Sequence, residues 1–195
     1  MRIAITGKMC SGKSTLAKYI CSLDDRYEIH SFGQKVKDVA SDLFQMDPLH
    51  KDRTLLTSIG TKMREIDPDV WTKYIINKTK NLQFGIVDDL RYQNEYDYLV
   101  DNNFKIIQMN VSPELQEQRL KKVYPLNYQD HLNNRNHPSE LNTFQWRNNG
   151  PDLIIDSALS VQKIQTIING FIIKQKTLEK VNGSYTNHQN QNESK

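Results

Sequence analysis

Eight consecutive residues, Gly7-Lys8-Met9-Cys10-Ser11-Gly12-Lys13-Ser14, fit the pattern G-x-x-x-x-G-K-[ST] at every position. An apolar run, Ile3 to Ile5, precedes them, and Leu16, Tyr19 and Ile20 follow at helical spacing. Strand, glycine loop and helix in that order are the context in which this pattern cradles phosphate. Glycines let the backbone curl so that its N–H groups face an anion, and the helix adds its positive dipole end. Gly7 to Thr15, including Lys8, Met9, Cys10, Ser11 and Gly12, are therefore the candidate nucleotide-binding residues. Lys13 is placed to reach the β- and γ-phosphates, and the Ser14 hydroxyl to ligate magnesium. Cys10 is read as a spacer between the glycines.

Beyond the loop, apolar strands alternate with helical segments. Tyr27 to Phe32, Phe84 to Val87, Phe104 to Val111 and Leu153 to Ile155 read as strands. Helices are expected over Lys35–Phe44, Leu55–Ile66, from Asp69 onward, over Asn94–Val100, from Pro113 to about Lys122, and over Val161–Lys176. This alternation predicts an α/β, three-layer P-loop fold with a parallel sheet flanked by helices. The polar, Asn-rich stretch Tyr124–Arg147 breaks the rhythm and reads either as a mobile lid, spanning about 120–147, or as an irregular surface excursion. The stretch 181–195 is too polar to offset the entropy of ordering, so it reads as a disordered tail after a P-loop domain of about 1–180.

With 195 residues and 37% hydrophobic content, the chain suffices for one sizeable core. A net charge of +3, spread along the chain, calls for neither a nucleic acid polymer nor a membrane surface. Two isolated cysteines, Cys10 and Cys21, and no long apolar span point to the cytoplasm. His137 has no metal partners at ligand spacing.

Four further segments, S-F-G-Q-K-V-K-D-V-A, L-L-T-S-I-G-T-K-M-R-E-I-D-P-D-V-W, I-V-D-D-L-R-Y-Q-N-E and H-P-S-E-L-N, follow the loop in this order. Together they resemble the phage- and virus-type deoxynucleoside monophosphate kinases over roughly residues 1–175. A more distant likeness is to animal-type phosphomevalonate kinase, which shares the D-x-R after the third strand and an acidic S-E segment. The resemblance implies a nucleoside monophosphate kinase fold, ATP as donor, magnesium as cofactor and a deoxynucleoside monophosphate as acceptor. A homodimer stays open. Where the family tends to have A-D-P-L-K, this chain has Gly33-Gln34-Lys35-Val36-Lys37, and only Lys37 keeps the basic position.

Asp88 and Asp89 close an apolar strand, and ligands collect beyond the carboxyl ends of parallel strands. By analogy with D-x-R, Asp89 is the better candidate for holding magnesium through water, with Arg91 clamping a phosphate. Arg64 is either a surface arginine beside Asp67 or an acceptor-phosphate ligand, and the resemblance favours the ligand. Trp71 either stacks on a base or fills the core, with Val70 and Ile75 favouring the core. Arg119 and Arg135 are the lid candidates for stabilising charge on the transferring phosphoryl group, although basic residues in a last helical turn, such as Lys121 and Lys122, also complement a dipole. The role of His137-Pro138-Ser139-Glu140 does not follow from its residues. Two other functions remain: a kinase for another phosphorylated small molecule, and a nucleotide-gated ATPase or binding module that phosphorylates nothing.

Overall fold

Strand β1 (Arg2–Gly7) is the central strand of a parallel sheet in the computed structural model, which describes residues 1–47, 52–126, 128–133, 135, 138–141, 143–147 and 149–192. Ile3, Ala4 and Ile5 are fully buried. A strand covered on both faces is a continuous apolar run rather than an alternation, as its sequence reads. The sheet is completed by β2 (Glu28–His30), β3 (Gly85–Leu90), β4 (Phe104–Asn110) and β5 (Leu153–Asp156). Its order is β2-β3-β1-β4-β5, with every neighbouring pair parallel. All five carboxyl ends therefore lie on one edge, and Gly7, Asp88, Asp89 and Asn110 are brought there.

Between the strands run α1 (Lys13–Leu23), α2 (Phe32–Phe44), α3 (Arg53–Ile66), α4 (Val70–Thr79), α5 (Gln93–Asp101), α6 (Pro113–Val123), α7 (Tyr128–Asn133) and α8 (Pro138–Leu141). The expected α/β fold is thus the fold observed. Local chemistry sets several helix starts. Asp52 accepts from Leu55 N at 2.9 Å, and Ser112 accepts from Leu115 N ahead of Pro113. No described helix is long and apolar enough to cross a membrane.

Strand β3 runs further than its apolar residues suggest, through both aspartates to Leu90. Its register against β1 slips: Ala4 pairs with Val87 but Thr6 with Leu90, so Asp88 and Asp89 together stand opposite Ile5. Such a bulge re-aims side chains at a strand end.

Arg2–Ala158 form one compact unit. Met1 and the chain from Leu159 onward form a second, containing α9 (Val161–Asn192). Ile168, Phe171 and Ile172 make the buried stripe of α9, whereas Ile173, Leu178 and Val181 are exposed. The backbone stays helical past residue 181, through Asn192, where composition predicts no structure. Once nucleated, a helix propagates at one hydrogen bond per added residue, and the long apolar start of α9 provides that nucleus.

The region read as an irregular lid contains α7 and α8, and its far end carries Phe144 and Trp146 packed on Tyr96 of α5, at ring separations of 5.5 and 5.2 Å. Trp71 is 3% exposed in the core with Val87, Leu90 and Ile75, and its Nε1 donates to Gly60 O at 3.2 Å. It clasps α4 to α3 and does not line the cleft, so the base-stacking role is not supported. Trp71→Phe is expected to lower stability by about 1 kcal/mol through the lost hydrogen bond, without changing which acceptor is used. A thermal melt beside an acceptor panel checks both.

Candidate functional site

The loop from Gly7 to Gly12 takes backbone angles that most side chains resist. Gly7 and Gly12 have φ of 147° and 98°, and Cys10 sits at 59°. A Cβ on Gly7 would lie 2.5 Å from Met109 O of the neighbouring strand, so glycine there is a steric requirement. Gly12 caps α1 and leaves the first-turn N–H groups of Lys13, Ser14 and Thr15 without intrahelical acceptors. The Lys13 ammonium folds over the loop, donating to Gly7 O at 2.6 Å and Lys8 O at 2.8 Å. Burial lowers its pKa to about 8, assisted by the nearby Arg91 cation and opposed by Glu140, Asp89 and Asp88. Phosphate oxygens entering the loop would restore the missing negative charge.

The β3 bulge sends the two aspartates to different partners. Ser14 Oγ donates to Asp88 Oδ2 at 2.7 Å. Asp89 instead accepts from Ser31 Oγ at 2.7 Å, Phe32 N at 2.9 Å and Gly33 N at 2.7 Å. Asp89 thus serves the N-terminus of α2, where a carboxylate meets unpaired N–H groups and the dipole. The aspartate beside Ser14 is Asp88, not the Asp89 that the D-x-R analogy favours. Burial raises the Asp88 pKa, against the Ser14 hydrogen bond that lowers it.

A cleft of about 1070 Å³ opens beside this pair. Lys13, Ser14, Asp88 and Asp89 line it together with three further cations, Lys37, Arg64 and Arg91. The two arginines are organised by one carboxylate. Glu95, in the first turn of α5, accepts from Arg64 Nη2 at 3.1 Å with Oε1, and from Arg91 N and Tyr92 N at 2.9 and 3.1 Å with Oε2. Arg64 also donates to Gly60 O and lies 4.2 Å from the centre of the Tyr92 ring. Glu140, only 3% exposed, pairs with Arg91 and accepts from Met9 N at 2.7 Å.

The two lid arginines are placed elsewhere. Arg119 donates to Cys10 O at 3.1 Å and Ser157 O at 2.7 Å, bracing the loop from α6 without lining the cleft. Arg135 is exposed, and its charge acts on Glu117 of α6. His137 lies outside the described residues. Sequence reasoning passed over Glu95 and Glu140 as site residues, although both fall within the family-like segments. Gln116, which donates to Met9 O at 3.0 Å, and Ser157, which donates to Ser11 O at 2.5 Å, carry no sequence signal at all.

A family model described as an AAA domain matches residues 3–142. The chain belongs to the AAA domain family. No curated protein matches it in sequence. Among solved structures, this AAA domain chain is similar to TT1252 from Thermus thermophilus at a TM-score of 0.60 and 12% identity, over 89% of this chain and 97% of that one. It is also similar to shikimate kinase from Aquifex aeolicus, at a TM-score of 0.53 and 13% identity over 91% and 99% of the two chains. A gluconokinase from Sinorhizobium meliloti follows at 0.54 and 14%, over 91% and 95%. At such identities the likeness establishes the fold of the AAA domain chain, a P-loop kinase-like α/β fold.

Glu95 yields a test of the site's electrostatics. Burial raises its pKa from 4.5 to about 7, against the lowering effect of Arg64 and the two backbone N–H groups. The folded state therefore holds a proton that the unfolded state releases, and the stability linked to it is full below about pH 4.5 and is lost as pH rises through about 7. In melts between about pH 5 and pH 8, wild-type stability relative to Glu95→Gln should fall until about pH 7 and then level off. A difference that stays constant with pH would mean that Glu95 does not titrate there.

Proposed function

We propose that this chain transfers the γ-phosphoryl group of ATP to the phosphate of a deoxynucleoside monophosphate, acting in the cytoplasm. The observation that carries this reading is a single cleft lined both by the phosphate loop with Lys13 and by three further cations, Lys37, Arg64 and Arg91. A kinase with a phosphorylated acceptor needs both, because two anions must be held close together against their repulsion. Tyr74 also lines the cleft, an aromatic side chain of the kind that packs against a base.

The residues suit ATP with magnesium. Ser14 and Asp88 present hard oxygens 2.7 Å apart, and magnesium takes one or two protein oxygens together with phosphates and water. Bound there, the ion would neutralise charge on the β- and γ-phosphates. In the transfer, a bond forms from an acceptor phosphate oxygen to the γ-phosphorus and the bond to the β–γ bridging oxygen breaks, leaving ADP and the diphosphate. Lys13 and the loop N–H groups hold the donor. Arg91 and Arg64 orient the acceptor, and no nucleophilic side chain is needed.

A second reading has support in the shikimate kinase and gluconokinase among the structural neighbours: a small-molecule kinase whose acceptor is not a nucleotide. A coupled ADP-release assay decides, run over deoxy- and ribonucleoside monophosphates, phosphomevalonate, shikimate and gluconate. Turnover confined to nucleoside monophosphates supports the first reading. ATP consumption indifferent to any acceptor would leave only an ATPase.

Lys13→Ala should lower turnover by about 10²- to 10³-fold with the fold retained, since it removes a preorganised cation from the donor phosphates. Arg91→Ala and Arg64→Ala should each weaken acceptor use by roughly 10- to 100-fold while ATP dependence barely moves. Arg91→Lys should recover part of that loss, because lysine keeps the charge without the planar fork. Equal shifts in ATP and acceptor dependence would put the arginines on the donor side.

A further inference from the structure

Glu140 belongs to α8, a four-residue helix in the region read from sequence as a lid, yet its carboxylate is almost wholly buried against the phosphate loop. One oxygen, Oε2, accepts the Met9 N–H at 2.7 Å. The other, Oε1, is paired with Arg91. Met9 lies inside the loop that would take the donor phosphates, and Arg91 is one of the cations assigned to the acceptor. A single carboxylate therefore touches both the loop and the arginine. Its reach comes from α8, and neither is adjacent to it in sequence.

Burying a carboxylate is costly unless its charge is paired and its lone pairs are used, and here both oxygens have partners of opposite polarity. Arg91 has a second tether, through its own backbone N–H to Glu95. Its backbone is thus held by Glu95 and its guanidinium by Glu140. In-line transfer is sensitive to displacements of about 1 Å, so a group that sets the distance between donor loop and acceptor cation acts directly on rate.

We infer that Glu140 is a positioning residue for the transfer, a strut whose two oxygens hold the loop at Met9 and the guanidinium of Arg91 at one separation. This rests on the proposed roles of the loop and of Arg91. Glu140 acts through Arg91, so the effects of changing the two residues are coupled rather than additive. It contributes no proton and no bond to the reaction.

The test compares wild type, Glu140→Gln, Arg91→Ala and the double variant. Turnover is followed against acceptor and ATP, ATP binding is measured by calorimetry, and thermal melts verify folding. Glu140→Gln keeps the shape and loses the charge. It should lower kcat about 10- to 100-fold and move the ATP dissociation constant by less than about 3-fold, and in the Arg91→Ala background its further cost should shrink to about 3-fold or less. Glu140→Asp keeps the charge but shortens the side chain by one methylene, so a strut should lose turnover here as well.

The same fold loss from Glu140→Gln in both backgrounds would overturn the inference, as would full turnover in Glu140→Asp. So would ATP binding that tightens in Glu140→Gln with kcat retained, since Glu140 would then be an internal anion competing with phosphate. Failure of the functional reading looks different: wild type itself would show no acceptor-dependent turnover, and the strut would fall with it.

Discussion

The packing of β1 between β3 and β4 is the constraint from which the site follows. With Ile3, Ala4 and Ile5 buried on both faces and both edges paired, β1 can deliver its carboxyl end to only one place. The chain must leave that place through a turn so close to Met109 O that a side chain at position 7 has no room. A glycine loop there is thus a product of sheet packing as well as of ligand chemistry. The parallel arrangement then places the end of β3 on the same edge, which supplies the carboxylates.

The slip between β1 and β3 gives those carboxylates separate tasks. In an unbroken strand two successive side chains would face opposite sides of the sheet. Here both stand opposite Ile5, and one reaches Ser14 while the other ties down the start of α2. The α2 end is thereby coupled to the loop through adjacent residues. Lys37, two turns or less from that anchored end, inherits its place in the cleft from Asp89.

What could be read in the sequence was what local chemistry decides. The loop, the strands and helices in order, and the parallel sheet all rest on short-range periodicity and turn residues, and they are found as expected. The choice between Asp88 and Asp89 was not readable, because the bulge arises from pairing with a strand some eighty residues away in sequence. The surroundings of Arg119 and Arg135 were hidden for a related reason: a basic side chain shows its charge in sequence but not the carbonyls or carboxylates around it. Trp71 was ambiguous in sequence and is settled by its burial. Arg64 and Arg91 were picked out through family likeness, whereas the buried acids that hold them, Glu95 and Glu140, have roles visible only in three dimensions.

Three successive loop carbonyls, Met9 O, Cys10 O and Ser11 O, are each claimed by a donor from outside the loop: Gln116, Arg119 and Ser157. A trans peptide is planar, with its C=O and N–H on opposite sides. Drawing those carbonyls outward therefore turns the N–H groups of the same peptide planes the other way, and the Ser11 N–H meets Lys8 O. The loop's affinity for anions is in this sense imposed from behind, by α6 and by the residue after β5. A chain with the eight-residue pattern intact but without that backing would keep the signature and lose the preset orientation of its dipoles.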